Sequence, residues 1–254
     1  CYQLQTSLAD GSIRGAEALM RWNHPTRGVV SPGEFIPLAE ESELIIPMGI
    51  WALRTACRDA AEGKVPGVVA VNLSPVQLKQ PDLVETIHTI LLETGLSPSR
   101  LEVEITESSL MKDQTSAMHV LRRLKGMGVA VAMDDFGTGY SSLATLHAFP
   151  FDKIKLDQSF VRKIPENMSA VAIVRTVLAL GKSLGIPVLA EGIETEEQLR
   201  FLAREGCDEG QGYLMARPVE AGKLADAIAA IERRTTRHVD FDDALTRSGN
   251  IAAA

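Results

Sequence analysis

Val129-Ala-Val-Ala-Met-Asp-Asp-Phe-Gly-Thr-Gly-Tyr140 opens as an apolar run and breaks into two adjacent carboxylates, Asp134 and Asp135. The run from Val129 to Met133 has the length of a buried strand. Neighbouring side chains on a strand point to opposite faces, so two adjacent carboxylates can share one ion only where the strand is ending. Gly137 and Gly139 place such an end directly after the pair. The segment also reads as an aspartate pair turning a strand into a loop, since Asp and Gly are ordinary turn residues. The rest of the chain has to decide between the two.

Working outward, the flanking sequence alternates strand and helix signals. Strands are expected at Val68–Leu73, Leu101–Thr106, Asp152–Leu156, Pro187–Ala190 and within Cys207–Tyr213. Helices are expected at Glu34–Glu41, Gly49–Glu62, Leu83–Thr94, Thr115–Lys125, Ala170–Leu184, Glu196–Glu205 and Gly222–Arg233, several of them stopped by glycine. Over 254 residues, 45% of them hydrophobic, this alternation fits a single (β/α) barrel. The start departs from it. Leu4–Ala9, Asp10-Gly11 and Ile13–Leu19 read as a β-hairpin with a two-residue turn, which brings an antiparallel strand into an otherwise parallel sheet. The barrel domain is expected over residues 1–234, with residues 235–254 a partly helical or disordered tail.

Composition narrows the partners. A net charge of -7 argues against a nucleic-acid polymer but leaves room for a small phosphorylated ligand held through cations. Cys1, Cys57 and Cys207 form no paired motif, which fits a reducing compartment without structural zinc. No apolar run is long enough for a membrane span and no signal peptide is visible. The abrupt start in a strand suggests a domain of a longer protein.

The polar residues at the strand ends carry the functional reading. Glu17, Asn72, Glu104, Asp134, Asp135, Lys155, Glu191 and Gln211 fall at or near the carboxyl ends of successive strands. In a (β/α) barrel these ends converge on one face, where active sites lie. Five carboxylates meeting there need protons or cations to relieve their repulsion. The donors are oxygens, without His or Cys, which favours Mg²⁺ or Mn²⁺ over zinc. Such a set can hold two ions roughly 3.5–4 Å apart, with Asp134 the natural bridge. Each residue alone also has a plain structural reading. Lys155 alternates with Lys153 and fits a wet strand face, Ser74 fits a helix cap before Pro75, and Thr195 fits a cap after Glu191-Gly-Ile-Glu194. The case lies in the joint arrangement.

The blocks themselves resemble a known family. Glu17-Ala-Leu19 with Arg21-Trp22, Asn72-Leu-Ser-Pro-Val-Gln77-Leu, Glu104-Ile-Thr-Glu107, Asp134-Asp-Phe-Gly-Thr-Gly-Tyr-Ser-Ser-Leu143, Lys155-Leu-Asp157, Glu191-Gly-Ile-Glu194 and Gln211-Gly-Tyr213 are similar, in the same order, to bacterial EAL domains, phosphodiesterases of the second messenger cyclic di-GMP. Leu4 and Met215 stand where the family more often has proline and an aromatic.

The resemblance implies a modified TIM (β/α)8 barrel with an antiparallel first strand. It implies Glu17, Asn72, Glu104 and Asp134 around one ion and Asp134, Asp135 and Glu191 around a second. Lys155, Glu191, Glu194 and Gln211 then act in catalysis, and Gln3, Leu19, Arg21 and Pro218 contact the dinucleotide. Glu107 anchors the Phe136–Ser142 loop, which couples dimerisation to metal binding. The expected product is linear 5′-pGpG. The expected setting is a cytoplasmic homodimer without direct membrane contact from this domain, fused to regulatory domains in a parent protein whose own anchoring stays open. A non-catalytic cyclic di-GMP receptor and an unrelated acidic-site barrel such as a metal-dependent lyase are the rival readings.

Overall fold

Eight strands close into a barrel in the computed structural model, which describes residues 1–111, 114–138, 149 and 151–233. The tail, and the 136–142 loop beyond residue 138, lie outside the described residues. In chain order the strands are β1 (Tyr2–Ser7), β2 (Ile13–Ala18), β3 (Trp22–His24), β4 (Gly28–Val30), β5 (Val68–Asn72), β6 (Leu101–Thr106), β7 (Ala130–Phe136), β8 (Lys153–Leu156), β9 (Val188–Ala190) and β10 (Glu209–Gly210). The barrel order is β1-β10-β9-β8-β7-β6-β5-β2. Strand β1 runs antiparallel to both its neighbours, β2 and β10, and the other pairings are parallel.

Strand β6 shows how the sequence builds the wall. Leu101, Val103 and Ile105 alternate with Glu102 and Glu104, and all five are buried. The apolar set packs into the core under the helices, while the glutamates reach lysines of β8 across the barrel interior. Strand β8 repeats the pattern, with Ile154 and Leu156 in the core and Lys153 and Lys155 inside the barrel. The wet strand face that Lys153–Lys155 alternation allows is therefore excluded: the barrel is polar within and apolar between sheet and helices.

Helices flank the strands with locally encoded ends. Ser74 and Thr195 each form a capping box with the glutamine three residues on, Gln77 and Gln198. Asn167 accepts a hydrogen bond from the Ala170 N–H at the start of the Met168–Leu184 helix. Residues 224–233 form a last helix that buries Leu224 and Ile231. No helix among the described residues is long and apolar enough to cross a membrane.

Two local expectations are corrected, and one further element appears between them. The first hairpin does not turn in two residues. Its strands stop at Ser7 and resume at Ile13, because the Asp10 carboxylate accepts hydrogen bonds from the Ser12 N–H and hydroxyl and holds a wider loop. The loop after β2 contains a small hairpin, β3–β4, where Trp22 packs edge-on against His24 and Phe35. Strand β7 does not end at Met133; it runs through both aspartates to Phe136 with a bulge between Met133 and Phe136.

Candidate active site

That bulge solves the geometric problem of two adjacent carboxylates on one strand. Asp135 takes a left-handed backbone conformation with φ of 55°, a state that costs an ordinary residue roughly 1–2 kcal/mol but that Asp tolerates comparatively well. Its N–H donates to Asp134 Oδ1 at 2.9 Å. The turn breaks the strict alternation, and oxygens of Asp134, Asp135 and Glu191 come within 4.8 Å of one another. The strand thus aims both aspartates at the same place while continuing to pair.

Glycines bring the neighbouring loops in close. Gly192, just after Glu191, has φ of 70°, and a Cβ there would lie 2.6 Å from Gln158 Cβ. A Cβ on Gly212, after Gln211, would lie 2.1 Å from the Ile193 carbonyl oxygen. A larger residue at either place would push Glu191 or Gln211 away from the barrel axis.

Lys155 is the centre of what these elements converge on. Its ammonium is shut off from solvent and lies 2.7 Å from Glu104, 2.8 Å from Glu191, 3.3 Å from Asp134 and 3.5 Å from Glu17. Glu17 accepts from Asn72 Nδ2 at 2.8 Å and, through its other oxygen, from Gln211 Nε2 at 2.6 Å. Gln211 also reaches Glu191 at 3.4 Å. Seven of the residues expected from the strand ends therefore form one network, and Asp135 joins through Asp134 and Glu191.

Four carboxylates face one ammonium, and their protonation follows. Burial, followed by the charge of Glu17, pushes Glu104 well above the usual carboxylate range. Burial pushes Glu191 up to about 8. Asp135 rises to about 6 through burial and then the charges of Asp134 and Asp157. For Lys155, burial works against the charge, but Glu104, Glu17, Glu191 and Asp134 outweigh it and hold the ammonium protonated well above its usual range. Glu17 is likewise opposed by burial, yet Lys155 and the hydrogen bonds from Gln211 and Asn72 bring it below the usual value.

The surplus of buried oxygen donors fits hard divalent cations. Glu104 Oε1 is buried without a hydrogen-bond partner, an orphan of the kind a cation would satisfy. The groups around it are carboxylates and an amide, donors that suit Mg²⁺ or Mn²⁺.

The expected peripheral residues are placed differently. Glu194 does not join the Lys155 network; its carboxylate meets Arg162 at 3.3 Å in an exposed pair. Glu107 is buried at the start of the helix that follows β6. Gln3, Leu19 and Pro218 gather around the start of β1. Gln3 donates to the Ala216 carbonyl at 3.3 Å, Leu19 exchanges backbone hydrogen bonds with Cys1, and Pro218 precedes Val219, which bridges to Tyr2. The Arg21 guanidinium donates to the Met20 carbonyl at 2.8 Å and lines a groove with Trp22, Phe35 and Trp51.

Sequence reasoning assigned no role to Glu102 and Lys153, which are buried inside the barrel beneath Glu104 and Lys155. The available signal was the two-residue spacing from site residues on strands that also carry buried apolar positions.

The family model of the EAL domain matches residues 1–218. The chain belongs to the EAL domain family. An uncharacterized signaling protein of Caulobacter vibrioides is 58% identical to this EAL chain over 88% of its length and 28% of the relative's. A Pseudomonas aeruginosa protein named bifunctional diguanylate cyclase/cyclic di-GMP phosphodiesterase MucR is 41% identical over 90% of the chain and 34% of that protein. The solved structure of the MucR phosphodiesterase in complex with c-di-GMP superimposes with a TM-score of 0.84, covering 88% of this chain and 92% of that one. Klebsiella pneumoniae BlrP1, solved as a manganese/cyclic-di-GMP complex, is 34% identical, with a TM-score of 0.75 over 85% of this EAL domain and 55% of BlrP1. The chain thus spans about a third or less of the two curated relatives it matches here.

Proposed function

We propose that this EAL domain hydrolyses one phosphodiester of cyclic di-GMP to give linear 5′-pGpG, with Mg²⁺ or Mn²⁺ as cofactor. The observation that carries the reading is the buried Lys155 ammonium among Glu17, Glu104, Asp134 and Glu191, with the orphaned Glu104 Oε1 beside it, at the mouth of the barrel. MucR and BlrP1, solved with cyclic di-GMP, support the ligand, and the manganese complex of BlrP1 supports the cofactor.

Glu17, Asn72, Glu104 and Asp134 would hold one ion, and Asp134, Asp135 and Glu191 a second. When bound, such ions lower the pKa of the attacking water and offset the charge that gathers on the phosphate oxygens. The protein's own groups complete the chemistry. Lys155, fixed by four carboxylates, orients the nucleophile and adds a positive charge at the reacting phosphate. Gln211 and Asn72 hold Glu17 through both its oxygens. Arg21 is suited to grip the second phosphate in a bidentate fork, with Gln3, Leu19 and Pro218 along the dinucleotide. Glu194 steadies the loop carrying Glu191, since its N–H donates to Gln198 at 2.8 Å and its carboxylate pairs with Arg162. Glu107 as anchor of the 136–142 loop, a homodimer, and a cytoplasmic output role within a larger regulatory protein belong to the same proposal.

The test is turnover of cyclic di-GMP by the purified chain with Mg²⁺ or Mn²⁺, then with chelator. Linear product that disappears with chelator and with Glu17→Ala supports the reading. Tight binding without product in every metal condition would mean a receptor instead.

A further inference from the structure

Beneath the Lys155 network the barrel holds a second polar layer. Lys153 Nζ lies 3.1 Å from Glu102 Oε1, 3.1 Å from Glu209 Oε2 and 3.3 Å from Gln5 Oε1. Lys153, Glu102 and Gln5 are buried, and the Glu209 side chain is 16% exposed. The four residues come from β8, β6, β10 and β1.

Their spacing is the informative feature. Glu102 precedes Glu104 by two residues, Lys153 precedes Lys155, Glu209 precedes Gln211, and Gln5 follows Gln3 on the antiparallel strand. Two residues along a strand amount to roughly 6–7 Å and return the side chain to the same face. Glu102, Lys153 and Gln5 therefore each stand one pleat below a residue of the proposed site on the same strand, and Glu209 stands two residues before Gln211, which follows directly on the end of β10. A buried ammonium shared by two carboxylates tolerates little displacement, because a lost partner leaves a charge uncompensated in a low-dielectric interior. Such a layer clamps the relative height of β6, β8 and β10, and with it the heights of Glu104, Lys155 and Gln211.

We propose that Lys153 is a positioning residue: its ion pairs with Glu102 and Glu209 set the strand heights that bring Glu104, Lys155 and Gln211 to the geometry needed for cation binding and turnover. The inference rests on the phosphodiesterase reading of the upper layer. The role assigned to Lys153 is support of the upper layer, not contact with substrate.

The test uses the full chain and two readouts. Mn²⁺ alone is titrated into chelator-stripped protein and followed by the EPR signal of the free ion, and cyclic di-GMP turnover is measured separately. Residues that orient the groups directly around a metal change affinity or activity by about 10- to 100-fold when substituted. Lys153→Met keeps the aliphatic stem and removes the charge. It is expected to weaken Mn²⁺ binding by about 10-fold or more and to lower kcat with KM little changed, while Lys153→Arg, which keeps the charge, recovers much of both. A folded Lys153→Met protein that matches wild type in Mn²⁺ affinity and kcat overturns the proposal, as does a variant that loses thermal stability alone. Should Lys153→Met not fold, Glu209→Gln replaces it, with the same direction expected and unchanged Mn²⁺ affinity again overturning the idea. The two readings fail separately: wild-type protein that binds Mn²⁺ but shows no turnover defeats the phosphodiesterase reading, whereas the lower layer is judged on the Mn²⁺ titration of variant against wild type.

Discussion

Lys155 Nζ and Glu104 Oε2 stand 2.7 Å apart with both side chains excluded from solvent, although 51 residues separate them in sequence. The pair spans the barrel interior from β8 to β6. Glu104's other oxygen has no hydrogen-bond partner, so the ammonium satisfies only half of what the carboxylate needs. The interior is thus poised between too little positive charge and the binding of more.

Removing the ammonium should be costly and partly reversible by cations. Lys155→Met leaves Glu104 among carboxylates without its counter-charge, and breaking one partner of a buried pair costs about 3–5 kcal/mol. Turnover should be abolished. Thermal melts should show a large loss of stability in chelator and partial recovery with saturating Mn²⁺. Equal melting temperatures for variant and wild type in chelator would contradict the balance described for this pair.

The pH response of the chelator-treated protein has a definite sign. Glu191 at about 8, Asp135 at about 6 and the raised Glu104 all lie above their usual values. The folded state therefore holds protons that the unfolded state releases, and the contribution of these groups to stability is complete below about pH 4 and is lost as pH rises toward about 8. Glu17, which is lowered, works in the opposite direction at the acid end. Chemical denaturation from pH 5 to 8.5 should show falling stability in chelator. Mn²⁺ should then bind more tightly as pH rises and release protons in weakly buffered solution, since it competes with those protons for the same oxygens.

Asp135 separates backbone from charge. Asn tolerates the left-handed conformation at φ 55° and removes the carboxylate. Asp135→Asn is expected to fold with stability equal to or above wild type and to lose Mn²⁺ affinity and turnover. Asp135→Val should lose stability as well, by about 1–2 kcal/mol, because a β-branched side chain opposes that conformation. Paired denaturation and activity curves distinguish the two.

Arg100 offers the converse case. Its guanidinium donates to the carbonyls of Gly67, Ala60 and Val65 at 2.8, 3.0 and 2.8 Å, tying the start of β6 to the end of the Ile45–Ala61 helix and the turn before β5. Arg100→Ala should destabilise by about 2–3 kcal/mol through the lost charge-assisted hydrogen bonds while leaving kcat and KM within two-fold, on the order of the 0.4 kcal/mol that such a ratio represents. A large fall in kcat with stability retained would show that this end of the barrel communicates with the site.

Much of this architecture is local information. Alternating apolar and polar residues in Leu101–Thr106 and Lys153–Leu156, the capping pairs Ser74–Gln77 and Thr195–Gln198, and the antiparallel start are encoded within a few residues of one another. That is why the strand ends, and the residues standing on them, are legible in the sequence. What stayed illegible depended on contacts between distant segments. A wet strand face stays open for Lys153 in the sequence because its partners Glu102 and Glu209 lie on other strands. Asp135 read as lying past the strand because the bulge that turns it is set by pairing with β8. The contacts of Glu194 are equally distant in sequence, since nothing in Glu191-Gly-Ile-Glu194 shows that its carboxylate meets Arg162.

The sequence by itself thus determined the barrel, its antiparallel first strand and the set of oxygen donors at the strand ends, because periodicity, capping and turn chemistry act over a few residues. Only the tertiary structure decided which of those donors meet, which lie dry and which hold protons. Those properties arise when barrel closure brings residues as far apart as Glu17 and Gln211, 194 positions distant, to 2.6 Å and removes the water between them.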